Sequence, residues 1–178
     1  DAAWLEWLPQ ETILFDQARL RRTTKVATHG TGRVLAGEMM VFGRLARGEV
    51  FRTGLARDAW DVSVDGRPVW RDAFHLEGDV LRVLDHPAAF NGARASATAI
   101  FAGKGAEDCL ELARDCLEGA AQQGDAVLCA ATAMTGVVIV RWLAVEPMRL
   151  RRAYGAWWAA FRHQVNGLPA RLPRMWEI

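Results

Sequence analysis

Asp65-Gly66 lies between Val62 and Val64 on one side and Val69 on the other. An Asp-Gly pair readily supplies two residues at positive φ, as a two-residue hairpin turn requires, so Ala59 to Leu76 reads as a β-hairpin. The flanking sequence keeps the same rhythm. From Thr12 to Leu76, short apolar or alternating runs are interrupted by glycine: Ile13 to Phe15, Val34 to Leu35, Met39 to Phe42, Trp60 to Val64 and Val69 to Trp70. Runs of this length and period indicate strands, and residues 1–84 form a β-rich segment.

Asp85-His86-Pro87 and Asn91-Gly92 mark a loop over Leu84 to Arg94, beyond which the rhythm changes. Ala95 to Ala102 reads as a strand. Ala106, Cys109, Leu110, Ala113, Cys116, Leu117 and Ala120 then recur at helical spacing, predicting a helix over 106–123 that stops near Gly124. Two strands, Ala126 to Thr132 and Gly136 to Ala144, form a second hairpin. Glu146-Pro147 opens a helix over 147–165 with proline in its first turn, and Asn166-Gly167 followed by Pro169 ends it. Its face of Leu150, Ala153, Tyr154, Trp157, Trp158 and Phe161 is broad and aromatic. The fold class expected is mainly β, with an α+β portion over 95–178 carrying two helices.

Charge narrows the partners. The 22 basic residues nearly cancel the 21 acidic ones, so no net field draws the chain to nucleic acid or an anionic membrane. Apolar runs such as Val137 to Val140 fall far short of the ~20 residues that span a bilayer. Three cysteines, Cys109, Cys116 and Cys129, show no C-x-x-C spacing and suit a reducing compartment, so a cytoplasmic location is expected. All three read as small core residues. No H-x-x-x-H or H-E-x-x-H spacing joins His29, His75, His86 and His163, which argues against a closed zinc site, and there is no phosphate-cradling G-x-x-x-x-G-K-[ST] loop. Arg19-Leu20-Arg21-Arg22 and Arg149-Leu150-Arg151-Arg152 read as solvated faces or partner contacts.

Several segments resemble the UreD (also called UreH) family of urease accessory proteins. They are Leu5-Glu6-Trp7-Leu8-Pro9-Gln10-Glu11-Thr12-Ile13-Leu14-Phe15, Phe42-Gly43-Arg44 with Gly48-Glu49, Val138-Ile139-Val140-Arg141-Trp142-Leu143, and Leu168-Pro169-Ala170-Arg171-Leu172-Pro173-Arg174-Met175-Trp176. Family members carry a further N-terminal β-rich segment, with a Gly-Gly-Asp-type motif, before the point where this sequence starts. Residues 1–178 then read as a single UreD-like domain lacking its N-terminal part. The resemblance implies a non-enzymatic accessory protein that binds UreF, through it the GTPase UreG, and apo-urease, and that assists nickel insertion. No tightly bound cofactor is expected, only transient nickel.

A protein that hands nickel on needs loosely held oxygen or imidazole ligands, since a tight closed site would trap the ion. The resemblance places Glu38 and Asp72 where family members carry acids, making them candidates for lining a polar path; the alternative for each is a solvent-facing side chain at a strand edge. Asp72 and His75 differ by an odd number of residues and point to opposite faces of a regular strand, so they do not chelate one ion together. Glu49 is expected to accept backbone hydrogen bonds or to pair with Arg44 or Arg47, making Gly43, Arg44, Gly48 and Glu49 a structural motif. Trp157 and Trp158 are adjacent, so one of them is expected to face a partner. The closing arm, with Arg171 and Arg174, either packs as an extended segment or docks a neighbour. Two other functions remain open on the residues alone: a metal-dependent hydrolase using Glu38, Asp72 and a histidine, and a purely structural β-rich adaptor.

Overall fold

The computed structural model describes residues 3–121 and 126–176. Two sheets face each other, and helices cover the outer side of the larger one. The larger sheet runs β1-β4-β7-β9-β8, with β2 also paired to β4; the smaller runs β3-β5-β6. Their strands are β1 (Trp4–Trp7), β2 (Thr12–Leu14), β3 (Arg19–Thr28), β4 (Arg33–Phe42), β5 (Thr53–Val64), β6 (Arg67–Asp79), β7 (Ala95–Ala102), β8 (Val127–Met134) and β9 (Val137–Ala144). The mainly β class with C-terminal helices expected from the sequence is the one observed. The two stretches of different rhythm share a sheet, because β7 and β9 pair onto β4 and onto each other.

The hairpin at Asp65-Gly66 forms between β5 and β6, with φ of 50° and 76° at its two central residues. β1 and β2 lie one after the other along β4, both parallel to it. The break between them contains Pro9, which has no N–H to donate to a ladder. β3 was not anticipated as a strand. Its alternation is carried by Leu20, Arg22, Thr24 and Val26, and the charged and polar members hide the period. Helix α1 (Val80–Asp85) also escaped the sequence reading, which had a loop beginning at Leu84; six residues are too few to show a helical period, and Asp79 caps the turn by accepting from the Arg82 N–H at 3.2 Å.

Helix α2 (Leu110–Ala121) follows a 3-10 turn over Ala106–Cys109, and its expected end near Gly124 lies outside the described residues. Helix α3 (Pro147–Asn166) has Pro147 in its first turn and closes on Gly167, whose N–H donates to the His163 carbonyl at 2.8 Å.

β4 is buried on both faces. Its odd residues Leu35, Met39 and Val41 pack toward α2 and α3; its even residues Val34, Ala36, Met40 and Phe42 pack toward the smaller sheet. The helix-side core is aromatic, with Trp157 and Phe161 stacked at 4.8 Å and Trp142 edge-on to both Tyr154 and Trp157 at 5.2 Å. The outward-facing tryptophan expected at 157 or 158 is corrected here, since both rings are fully buried. Helix α3 has neighbours on two sides. Trp157 donates to the Ala113 carbonyl of α2 at 3.0 Å, and Trp158 reaches Glu6 of β1 at 3.1 Å.

The first and last resembling segments meet over α3. Glu6 accepts hydrogen bonds from Trp4, Trp158 and Arg162 at 2.8 to 3.1 Å. Burial pushes its carboxyl up, but these bonds and the Arg162 charge outweigh that and hold its pKa below the usual range. Gln10 donates to the Met175 carbonyl at 2.8 Å, and Trp176 is buried beneath Arg151, whose guanidinium lies 4.5 Å from the ring centroid. Arg151, read from sequence as part of a solvated patch, is instead buried and paired with Glu11. The closing arm packs against its own chain through Trp176, while Arg171 and Arg174 remain exposed.

Gly37 is required by packing. A Cβ there would lie 2.0 Å from Tyr154 Oη and 3.0 Å from both the Thr98 carbonyl oxygen and the Trp158 ring. Gly37→Ala is expected to cost about 1–3 kcal/mol, the usual range for overpacking. Adding Tyr154→Phe to that variant is expected to recover part of the loss. Urea midpoints at unchanged m-value check both.

Candidate functional site

Between the sheets, the inward-facing rows of β4 and β5 are apolar at both ends and polar in the middle. On β4, Glu38 sits between Ala36 and Met40; on β5, Asp58 sits between Ala56 and Trp60. On β3, Arg22 is in register with Asp58, and on the facing sheet Glu38 pairs Thr98, which pairs Arg141. A polar layer therefore crosses the sandwich and separates two apolar clusters.

Two ion pairs, Arg22–Glu38 and Arg141–Asp72, tie the sheets together within this layer. Arg22 grips Asp58 with a two-point hydrogen bond, Nε to Oδ1 at 2.9 Å and Nη2 to Oδ2 at 3.1 Å. Its Nη1 donates to Thr12 Oγ1 at 3.1 Å and lies 3.0 Å from Glu38 Oε2, an ionic contact without the alignment of a hydrogen bond. Across the layer, Arg141 of β9 donates to Asp72 of β6 at 2.6 Å and stands over the Trp70 ring. Glu38 and Asp58 are about 5% and 3% exposed, whereas Asp72 and Arg141 stand at the open rim.

A cavity of about 440 Å³ occupies this layer, its wall including Asp58, Asp72, Thr98, Cys129 and Arg141. Glu38 is not part of the wall; Arg22 joins it to Asp58, which is. Most of the wall is apolar, with Met40, Trp60, Phe74 and Phe90 among its residues, and the two acids picked out from sequence lie at its charged part, Asp72 on the wall and Glu38 behind Asp58. Burial raises the Glu38 pKa above the ordinary carboxylate value, with Asp58 adding to the rise and Arg22 and the Trp7 indole opposing it.

The sequence reading missed Arg22, Asp58 and Arg141. Asp58 had a visible signal, an acid at an inward position of a hairpin strand whose neighbours in the same row are Ala56, Trp60 and Val62. Arg22 was read as part of a solvated patch and Arg141 only as part of a resembling segment; their partners lie on other strands, at separations of 36 and 69 residues. Cys129, expected in the core, is instead exposed on the edge strand β8, where it is in register with Trp142 and has a neighbouring strand on one side only.

His75 contacts Glu77 at 3.3 Å, while Asp72 pairs with Arg141. Among the described residues, no three His, Cys, Asp or Glu side chains stand close enough to hold a metal ion. Glu49 accepts the Asp16 N–H at 2.9 Å and pairs with Arg44, bracing the turn after β4. Gly43 is needed there, since its φ is 119° and a Cβ would lie 2.4 Å from the Glu49 carbonyl oxygen. No described helix is long and apolar enough to cross a membrane.

A two-layer sandwich with a helical cover and a charged layer at its centre is a scaffold around an internal cavity, and comparison with known proteins supplies the family. The chain matches the family described as UreD urease accessory protein over residues 1–177. The urease accessory protein UreD of Magnetococcus marinus is 51% identical over 176 residues, covering 99% of this chain and 61% of that protein. The UreD of Methylobacterium sp. 4-46 is 42% identical over 175 residues, covering 98% and 60%, and that of Granulibacter bethesdensis is 38% identical over 178 residues, covering 98% and 70%. The chain belongs to the UreD urease accessory protein family, and spans about three-fifths of the length of the first two of these relatives.

The raised pKa of Glu38 gives a signed pH effect. Stability linked to a raised carboxyl is fully present below the unfolded-state value and is lost as pH rises through the folded-state value. Wild type is expected to lose stability relative to Glu38→Gln as pH rises above the ordinary glutamate value of about 4.3, read from urea midpoints.

Proposed function

We propose that this chain acts in urease maturation as a non-catalytic accessory protein: it binds UreF, through it UreG, and apo-urease, and offers a polar route along which nickel moves toward the urease active site. The observation that carries this reading is the charged layer around the 440 Å³ cavity, where Glu38, Asp58 and Asp72 supply carboxylates inside an otherwise apolar sandwich. Burying two carboxylates costs several kcal/mol each before pairing, and a hydrophobic row would pack as well, so their presence calls for a use beyond stability. Carboxylates are hard oxygen donors that hold a divalent ion without the grip of a thiolate set. Membership of the UreD family supplies the process, and the names of the similar proteins agree with it.

The surface for UreF is proposed on exposed groups. Arg171 and Arg174 of the closing arm qualify; Trp157 and Trp158, buried inside the helix layer, act only by holding α3 in place.

Co-expression with the cognate UreF, followed by size-exclusion chromatography with light scattering, is expected to give a co-eluting complex. Glu38→Ala and Asp72→Ala are expected to leave that complex intact while lowering urease activation and the nickel content of urease. Normal activation by both variants would remove the conduit role and leave a structural adaptor.

A further inference from the structure

The acids of the charged layer are not free to meet a cation. Arg22 fills the hydrogen-bonding edge of Asp58 and places its remaining nitrogen against Glu38; Arg141 covers Asp72. The Arg22–Glu38 and Arg141–Asp72 contacts span the gap between the sheets, where a transiting ion would pass. Acids and arginine of the inner group are unequal: Glu38 and Asp58 side chains are 5% and 4% exposed, but the Arg22 side chain is 26% exposed, and Arg141 at the rim is 52% exposed. Each arginine therefore keeps one side toward water on a long flexible stem, while the buried acids stay fixed on strands paired along their length.

We propose that Arg22 and Arg141 are tethered counter-cations that occupy the conduit between ions, so that a divalent cation engages Asp72 at the rim, and then Asp58 and Glu38 further in, only by displacing the arginine at each step. This rests on the conduit reading above and adds the device that keeps it from becoming a trap. Without a resident cation, two buried carboxylates close together would repel each other and would bind a divalent ion tightly. With the guanidinium present, the repulsion between the two carboxylates is offset in the empty state, the incoming ion must break an ion pair to bind, and the returning guanidinium helps it leave. No bond is made or broken; one cation exchanges for another at fixed carboxylates. Both arginines are positioning residues that act through the acids they cover.

The test titrates full-length protein with nickel against a competing metal-indicator dye, as wild type, Arg141→Gln, Arg22→Gln and Arg22→Lys, and measures urease activation in the assembled complex with nickel limiting. Arg141→Gln is expected to bind nickel about fivefold tighter, the ratio given by loss of a partly exposed ion pair of about 1 kcal/mol. Arg22→Gln is expected to bind tighter still, and Arg22→Lys to resemble wild type. Both glutamine variants are expected to slow activation because the ion is held longer. A merely structural arginine would not raise affinity when removed. If neither glutamine variant binds nickel more tightly while Glu38→Ala and Asp72→Ala still impair activation, the counter-cation role is wrong and the conduit stands. If the acid variants activate urease normally, the conduit itself fails. Arg141→Gln, at the exposed rim, decides the matter on its own if Arg22→Gln does not fold.

Discussion

A carboxylate at the middle of a strand buried on both faces governs much of this structure. β4 carries Glu38 where every neighbour in its row is apolar, and an unpaired charge there would cost several kcal/mol. Arg22 is the compensation, and it arrives only because β3 lies beside β5 in the smaller sheet, with Arg22 in register with Asp58. A shift of one residue in that register would turn Arg22 outward and leave both acids bare. The pairing of the smaller sheet and the survival of Glu38 in the core are therefore one constraint.

The opposite face of β4 obeys a steric constraint in place of an electrostatic one. Gly37 leaves the space into which the Tyr154 hydroxyl fits, bringing α3 down onto the sheet. Tyr154 Oη has no hydrogen-bond partner there, and burial pushes its pKa well up, with the Glu38 charge adding to the effect. Two adjacent residues of one strand thus fix a helix on one side and a charged layer on the other. At the sheet edge, Glu6, Gln10 and Glu11 perform a related task by pairing with Arg162, Arg151 and the closing arm, so that residues far apart in sequence seal the helix layer.

Much of the segments that mark the family is occupied with this sealing. Glu6, Gln10 and Trp176 hold the two ends of the described chain against α3, and Glu49 braces the turn after β4. The charged layer draws on different places: Arg22 and Asp58 lie outside those segments, and Arg141 lies inside one. Recognition of the family and recognition of the site were for that reason separate problems, and solving the first did not solve the second.

Local rules were enough for what is local. The Asp65-Gly66 hairpin, strand β7, the hairpin of β8 and β9, and the limits of α3 follow from turn chemistry, period and capping, and all were legible. Glu38 and Asp72 were legible as acids only through resemblance. Ion pairing between strands was not legible, because a sequence does not state which inward-facing arginine meets which inward-facing acid; Arg22 looked like one charge in a basic run until β3 was placed beside β5. The same limit concealed the burial of both Trp157 and Trp158, since one helix face cannot hold two adjacent rings unless neighbours approach it from two directions. Sequence by itself determined the family and most of the strands, turns and helices, β3 and α1 excepted, because those elements depend on contacts between near neighbours along the chain. Tertiary structure alone decided which charges share the interior, because the cost of burying a charge is set by what stands opposite it.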